Sequence, residues 1–445
     1  MHVSGLEDII PACACERLYN GGVVPTVRVI SHGCKSNQYD GDVIVRQLAG
    51  LGCQVVHSGP ADAYVVNTCA VTTTAQAKGR KLIRRLGRSA PGKVIATGCA
   101  VHAERDSLER IPGIGAVMGN DEKHAVAQAT ARLVGVSGTA GMPVLAVRDA
   151  RGRTRAVVKV QDGCDMSCSY CFIRLARGPA RSRPMPEVTR EVQWLAQEGV
   201  KEVVLTGIRL GAYHGGDGDL AGLLCALSDA GVPRIRLSSL DIWDLTPGLL
   251  EAMATNRRVC PHLHLPLQSG DAGILSAMRR PYTPDVFVEK VGQARQAIPD
   301  LAITSDVMVG FPGESHEAFE NTVRLVENLQ LDGLHVFRFS PRPGTPAAKM
   351  PGQMQESTKK ERCDRLLAVA RCLSARFAQR FVGKRVEVLF ETHDPATGLC
   401  EGFSQHYLRV SAPASPDLRN HIASVAVSEA RCDLALGTLA QNASA

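Results

Sequence analysis

Six short runs rich in β-branched residues recur between residues 155 and 340, with helical patterns between them. They are RAVVKV (155–160), EVVLTG (202–207), RIRLSS (234–239), HLHLPL (262–267), AITSDVMVG (302–310) and LHVFRFS (334–340). Stretches such as PEVTREVQWLAQEG and SHEAFENTVRLVENLQ separate them and carry the helical period. Six βα units in a row predict a partial parallel β/α barrel with its site at the carboxyl ends of the strands.

Residues 25 to 145 repeat a related unit in which each strand ends on a cysteine. TVRVISHGC closes on Cys34, AYVVNTC on Cys69 and KVIATGC on Cys99. In an open parallel α/β sheet these ends share one edge, where ligands gather. One strand-end cysteine alone reads as a buried small hydrophobe. Three in the same relative place predict a shared metal site.

After the basic helical stretch STKKERCDRLLAVARCLSARFAQRF, residues 383–440 turn to short strands: GKRVEVLFE, HYLRVSAP and IASVAVSEA. A small β-barrel suits this, either binding nucleic acid or serving only as packing. A chain of 445 residues with 44% hydrophobic content exceeds one core, so the expected domains are 25–147, 150–378 and 380–441. Fifteen cysteines spread over such a length point to metal or redox chemistry in a reducing compartment rather than to a secreted disulfide scaffold. The start MHVSGLEDIIPACACERL lacks a basic leader, and no window reaches a membrane-spanning apolar length. A cytoplasmic protein without a membrane partner is expected. The net charge of +7 is mild and informative only where it clusters.

The stretch QDGCDMSCSYCF sets Cys164, Cys168 and Cys171 at C-x3-C-x2-C spacing, with no fourth cysteine before Cys225. A structural zinc site closes with four ligands, commonly from two separate C-x2-C knuckles. Three thiolates on one loop can instead hold three irons of a 4Fe-4S cluster and leave the fourth open. An open iron can chelate the amino and carboxylate groups of S-adenosyl-L-methionine and pass an electron to its sulfonium, giving a 5′-deoxyadenosyl radical. With Tyr170 beside the last cysteine, the motif resembles the radical S-adenosylmethionine (radical SAM) superfamily, in which that cosubstrate is the missing ligand.

The resemblance narrows through HGCKSNQYDGD, NTCAVT, TGCA, ARGPARSR, LTGIRLGAY, RLSSLDIWDL, HLHLPLQSGD, MRRPYT, GFPGE, FSPRPGTPA and GFSQHYLRV. Together these look like the methylthiotransferases, iron-sulfur enzymes whose last domain is the RNA-associated TRAM module. The resemblance implies a second 4Fe-4S cluster on Cys34, Cys69 and Cys99. GCKSNQYD and QDGCD look most like the enzymes acting on threonylcarbamoyladenosine in tRNA; the isopentenyladenosine enzymes more often have glutamine and methionine after the first cysteine. The chain departs from the family pattern at Arg174, at Pro179 and at Asp241-Ile242.

Other residues have weaker signals. Gly207, Ser239, Gln268, Ser269 and Gly310 fall at strand ends, and the resemblance places them with Tyr170 around S-adenosyl-L-methionine; as residues they are small or polar groups that also suit turns. AQAKGRKLIRRLGRSA carries Lys78, Arg80, Lys81, Arg84, Arg85 and Arg88 without an acid. That run is a solvated helix face or a phosphate-binding surface, and Arg177, Arg181 and Arg183 extend the second reading toward the cluster loop. His262 and His264 alternate on one strand, with no third metal ligand evident from the sequence. Cys13 and Cys15 receive no role; Cys53, Cys225, Cys260, Cys363, Cys372, Cys400 and Cys432 read as ordinary thiols.

The resemblance therefore implies a transferase that inserts a methylthio group at C2 of N6-threonylcarbamoyladenosine beside the anticodon. Its partners would be tRNA, an electron donor such as flavodoxin or ferredoxin, and a sulfur source. The competing expectations are isopentenyladenosine in tRNA, a ribosomal protein, or a non-catalytic iron-sulfur RNA-binding sensor.

Overall fold

The computed structural model describes residues 24–70, 72–137, 154–216 and 218–440. Cys13, Cys15 and the QNASA tail lie outside them.

The first layer runs β1 (Thr26–Ser31), α1 (Lys35–Gly50), β2 (Gln54–Val55), β3 (Ala63–Thr68), α2 (Thr73–Ser89), β4 (Val94–Gly98), α3 (Cys99–Glu109), β5 (Ile114–Val117) and α4 (Val126–Leu133). All five strands are parallel, in the order β2-β1-β3-β4-β5. The period of two sends Val27, Val65 and Ile95 to one apolar cluster and Tyr64, Val66, Val94 and Ala96 to another, so both faces are covered. From β1 the chain winds outward to β2, and from β3 it winds the opposite way to β4 and β5. The crevice for a ligand in such a sheet opens at that reversal, beyond the carboxyl ends of β1 and β3.

The second layer comprises β6 (Arg155–Lys159), β7 (Gln161–Asp162), α5 (Ile173–Arg177), β8 (Arg181–Ser182), α6 (Met185–Gln197), β9 (Glu202–Thr206), α7 (Leu220–Ala226), β10 (Arg234–Leu237) and α8 (Pro247–Thr255). It continues with β11 (His262–His264), α9 (Ala272–Ala277), α10 (Pro284–Ala297), β12 (Ala302–Val309), α11 (His316–Leu329), β13 (Gly333–Arg338) and α12 (Glu356–Gln379). Parallel pairing gives β10-β9-β6 and β11-β12-β13, and the bridges Ile235↔Val259 and Ser239↔His264 join the two. No pairing closes β6 onto β13 among the described residues, so six strands form an open partial barrel. Ile235, Leu237, Leu263, Ile303 and Val307 pack on the helix side in the largest apolar cluster. The alternate positions Arg236, His262, His264, Thr304 and Asp306 line the interior. A fully closed barrel fills its centre with branched apolar side chains; a polar interior makes this one a binding space.

The third layer is a closed barrel, ordered β14-β15-β16-β18-β17, from β14 (Arg385–Asp394), β15 (Leu399–Ser404), β16 (Arg409–Pro413), β17 (Ile422–Arg431) and β18 (Leu434–Leu439). Val386, Val388, Phe390, Val410, Ala412 and Val425 fill it. Strands β15 and β18, from LCEGFS and LALGTL, were not expected from the sequence. The closed barrel docks on two β10 arginines. Arg234 donates to the carbonyls of Glu387 (2.8 Å) and Phe403 (3.2 Å), and Arg236 to those of Ser404 (3.1 Å) and Gln405 (3.0 Å). Buried Glu202 accepts from Arg236 Nε at 2.7 Å and Nη2 at 3.0 Å, which compensates that charge.

Candidate functional site

The three strand-end cysteines meet because their strands are neighbours. Cys34 is the residue before α1 and Cys99 the first of α3; Thr68 pairs with Gly98, which sets Cys69 and Cys99 side by side on the sheet edge. Gly33 has φ +101°, and a Cβ there would come 2.6 Å from Cys69 Sγ, so the approach of the Cys34 turn to Cys69 requires glycine. Two helix N-termini face this corner, and N–H donors point at sulfur: Arg177 Nε lies 3.3 Å and Asn120 Nδ2 3.6 Å from Cys99 Sγ. Both features set N–H donors against the sulfurs that an iron cluster would take.

Arg177 anchors the corner. Its side chain is 1% exposed and donates to Asp162 Oδ1 at 2.9 Å, Asp40 Oδ2 at 3.0 Å and Asn37 Oδ1 at 3.3 Å. Burial works against its charge, but Cys99, Asp40 and Asp162 outweigh it and hold the pKa well above the usual value. Burial likewise opposes ionisation of Asp40, yet Lys123, Lys159 and Arg177 hold its carboxyl below the ordinary range. The expectation that Arg177 binds RNA phosphate is therefore corrected: its partners are internal acids.

The cysteine triplet occupies the loop between β7 and β8, two short strands that pair through Gln161↔Ser182 and Asp162↔Arg181. Gly163 has φ +71°, and a Cβ would fall 1.9 Å from the carbonyl oxygen of Pro179, so Gly163 is needed where the loop starts. Ser169 ties the loop to the barrel: its N–H donates to Met278 O (3.1 Å) and its Oγ to Ala277 O (2.8 Å). The Met166 N–H lies 3.4 Å from Cys164 Sγ and Arg280 Nη1 3.5 Å from Cys168 Sγ. Asp241, one of the departures from the family pattern, holds Arg280 through an ion pair, and Trp243 packs against its guanidinium, 4.5 Å from ring centre. The two departures on the loop itself, Arg174 on α5 and Pro179 after it, are both exposed. Burial pushes the Cys164 thiol up, and the Cys171 thiol up to about 11, so metal loading here displaces protons. Three thiols on a tethered loop, each near a donor or its own backbone turn, fit a cluster with one open iron.

A cavity of about 420 Å³ has Tyr170, Cys171, Gln268 and Met308 on its wall together with Ala70 and Thr72, which follow Cys69 in the chain. Gln268 has φ +63°, and its buried Oε1 has no partner among the described residues. An acceptor left bare in a cavity is a group waiting for a ligand donor. The remaining cofactor candidates divide. Ser239 is exposed beside a second cavity of about 520 Å³. Ser269 does not line either space; its Oγ is occupied by Thr322 (3.3 Å) and by the N–H of Asp271 (3.2 Å). Gly310, with φ +75°, is small because Lys359 covers it, a Cβ meeting Lys359 Cγ at 2.4 Å. Gly207 is crowded by Gln161, 3.0 Å from a Cβ.

Among the basic candidates, Lys78, Lys81, Arg84, Arg85 and Arg88 lie exposed on α2, whereas Arg80 is paired with Glu104. Arg183 is also taken up internally, by Glu191 (2.7 Å), Tyr39 Oη (2.9 Å) and Lys159 O (3.1 Å). Arg181 is exposed and reaches Asp162 at 3.2 Å. These pairings correct Arg183 from a phosphate binder to a structural cation, while Arg80 is paired but partly exposed.

The interior histidines acquire partners that the sequence did not reveal. Pairing of β11, β12 and β13 sets His264 Nε2 3.1 Å from Asp306 Oδ2 and His335 Nδ1 3.1 Å from Asp306 Oδ1. Thr304 Oγ1 bridges His262 Nε2 (3.0 Å) and His264 Nδ1 (2.9 Å). If the Thr304 hydroxyl donates to His264 Nδ1, that ring donates from Nε2 to Asp306, and every contact in the row is satisfied. The ligand atoms of His264, Asp306 and His335 lie within 4.8 Å of one another, so the missing third group is supplied by two strands more than forty residues away.

The radical SAM superfamily model matches residues 158–326 and that of the uncharacterized protein family UPF0004 matches residues 26–119. The chain is 40% identical to the threonylcarbamoyladenosine tRNA methylthiotransferase MtaB of Thermotoga maritima, covering 86% of this chain and 90% of that protein. The MtaB of Bacillus subtilis is 35% identical, over 91% and 94%. A tRNA-2-methylthio-N(6)-dimethylallyladenosine synthase of Pelotomaculum thermopropionicum is 33% identical, over 93% and 98%. The fold resembles that of the radical S-adenosylmethionine methyltransferase TsrM of Kitasatospora setae, with a TM-score of 0.55 at 16% identity over 73% of this chain and 77% of that one. With Cys171 of one cysteine set on the wall of this cavity, Ala70 beside Cys69 of the other set on the same wall, and relatives of this identity along most of its length, the chain belongs to the radical S-adenosylmethionine methylthiotransferase family.

Proposed function

We propose that this chain inserts a methylthio group at C2 of N6-threonylcarbamoyladenosine in tRNA, using S-adenosyl-L-methionine and two 4Fe-4S clusters. The observation that carries the reading is the cavity lined by Cys171 and by residues that follow Cys69 in the chain. One cluster would sit on Cys164, Cys168 and Cys171 and the other on Cys34, Cys69 and Cys99. When bound, the first would supply reductive cleavage of S-adenosyl-L-methionine, whose 5′-deoxyadenosyl radical removes a hydrogen and leaves as 5′-deoxyadenosine, and the second would supply sulfur carrying a methyl group from a second S-adenosyl-L-methionine.

The chain's own residues divide the work between holding and admitting. Arg280, fixed by Asp241, donates toward Cys168; Arg177, fixed by Asp40 and Asp162, donates toward Cys99. Tyr170 and Gln268 shape the space for the cosubstrate between them. Residues 25–147 and 150–378 carry one cluster each in this reading, and 380–441 is a TRAM-like module that receives RNA. Phe403, Tyr407 and Arg409 of that closed barrel line the 520 Å³ cavity with the interior of the partial barrel, which supports entry of a nucleotide there. The exposed cations of α2 offer a second contact for the phosphate backbone. A one-electron donor of the flavodoxin or ferredoxin kind and an external sulfur source complete the reaction. No helix of the described residues is long and apolar enough to cross a membrane.

The test uses anaerobically reconstituted protein, reductant and an anticodon stem-loop bearing the threonylcarbamoyl base. The wild type is expected to release 5′-deoxyadenosine and form the 2-methylthio nucleoside. Cys34→Ala is expected to release 5′-deoxyadenosine without that product. Normal product from Cys34→Ala would refute the assignment of the second cluster, and no 5′-deoxyadenosine from the wild type would leave a sensor as the better account.

A further inference from the structure

Lys35 follows Cys34 directly and opens α1, yet its side chain belongs to the second layer's space. It lines the 520 Å³ cavity with Ser239, His264 and His335 of the partial barrel and with Tyr407 and Arg409 of the closed one. Of the other charged groups on this wall, Asp433 is exposed and lies on the Arg409 side, where its charge acts on that guanidinium, and the rest are balanced. Arg236 is held by Glu202, Arg409 pairs with Glu401 at 2.7 Å, Asp332 pairs with Arg380 at 2.6 Å, and Asp306 accepts from both His264 and His335. No ion pair or hydrogen bond links the Lys35 side chain to another described residue, and Lys35 is exposed. A cation left without an internal acid, in a concave space shared by three layers, is a binding group for an anion on the ligand.

The reading of the substrate given above supplies such an anion. A threonylcarbamoyl group ends in a carboxylate and carries a hydroxyl and a urea, whereas a dimethylallyl group is wholly apolar. Lys35 can meet the carboxylate; His335, fixed through Nδ1 by Asp306, and exposed Ser239 stand beside it as hydrogen-bonding groups. An apolar substituent would leave the lysine and these groups without partners, which is how a polar pocket rejects an analogue.

We propose that Lys35 is the specificity-determining residue of the site, binding the carboxylate of the threonylcarbamoyl substituent. The proposal rests on the threonylcarbamoyl reading of the reaction and deepens it.

The experiment measures Kd of the holoprotein for two anticodon stem-loops that differ only in the threonyl end, free acid against neutral carboxamide. Wild type, Lys35→Gln and Lys35→Arg are compared. The ratio of the two Kd values is taken within one preparation, so a variant that loads less iron does not distort it. For the wild type the amide should bind about tenfold to a hundredfold more weakly, the range of a charge-assisted hydrogen bond. Lys35→Gln should bring the ratio close to one, and Lys35→Arg should restore most of it. A Lys35→Gln ratio equal to that of the wild type overturns the proposal. So does equal weakening of both RNAs by Lys35→Gln, which would assign Lys35 to a phosphate or to packing. A wild type that discriminates neither RNA but methylthiolates the acid form overturns the role of Lys35 and leaves the reaction standing. A wild type that converts neither overturns both.

Discussion

Replacing Arg177 by Met keeps the length of the side chain and removes its charge from the corner that holds Cys99. The bonds to Asp162 at 2.9 Å, Asp40 at 3.0 Å, Asn37 at 3.3 Å and Cys99 Sγ at 3.3 Å all disappear. Breaking a buried pair from one side costs about 3–5 kcal/mol, because the abandoned charge stays desolvated. Here the acids are not fully abandoned, since Lys159 holds both Asp40 (2.5 Å) and Asp162 (2.7 Å) and Lys123 holds Asp40 (2.6 Å). The cost should therefore lie at the low end, about 3 kcal/mol, which is roughly a hundredfold in an opening equilibrium. Hydrogen exchange reads this directly at Gln38 N–H, bonded to Cys34 O at 3.0 Å, and at Ala176 and Gly178 N–H in and after α5. Protection there should fall about a hundredfold, while amides of the closed barrel keep theirs. Iron retained after anaerobic desalting should drop by about half, because only the Cys34, Cys69 and Cys99 set loses its counter-charge. Unchanged protection together with full iron would refute the argument that Arg177 is the electrostatic keystone of that corner.

Two further outcomes follow from the same structure. His406 is buried against Phe381, 5.1 Å between rings, and burial, the largest cause, holds its pKa down to about 4. The unfolded chain takes up that proton near pH 6.5 and the folded one not until about 4. The closed barrel should therefore hold constant stability above pH 6.5 and lose about 3 kcal/mol as pH falls through that window. Protection factors of β14 to β18 at pH 7 and pH 5 check this: His406→Phe should flatten the dependence, and an equal slope in the variant would show that other groups cause it. On α2, reversing Lys81, Arg84 and Arg85 to Glu should weaken tRNA binding and reduce the log–log salt slope by about one for each phosphate no longer neutralised. An unchanged slope would return that helix to an ordinary solvated surface.

How much of this was legible in the sequence depends on the kind of interaction. The six barrel strands and the three cysteine-ended strands were legible because a buried parallel strand needs a β-branched run of its own, and Cys34, Cys69 and Cys99 stand at the same place in each unit. Strands β15 and β18 were not, because closure of a small barrel needs bends, and the residues that allow them read as turns. Gly402 and Gly437 show this: a Cβ would lie 2.0 Å from Leu389 O at the first and 2.3 Å from Ala426 O at the second. The arginine-rich segment that holds Arg177 and Arg183 gives both the pattern of phosphate binders. Their acids, Asp40 and Glu191, come from α1 and α6, and only the fold brings them within reach. The row of His264, Asp306 and His335 is hidden for the same reason, since adjacency across three strands leaves no local spacing to detect. Ser269 and Gly310 show how ambiguous a strand end is: Thr322 and Lys359 offer a packing reason for each residue type.

The most direct test of the account is mass spectrometry of nucleosides from the bulk tRNA of cells with and without this gene. The account predicts that 2-methylthio-N6-threonylcarbamoyladenosine disappears on deletion, that its unthiolated precursor accumulates, and that the intact gene restores the product while a Cys164→Ala copy does not. Loss of the isopentenyl product instead would contradict the substrate, and tRNA unchanged in every methylthio nucleoside would contradict the reaction itself.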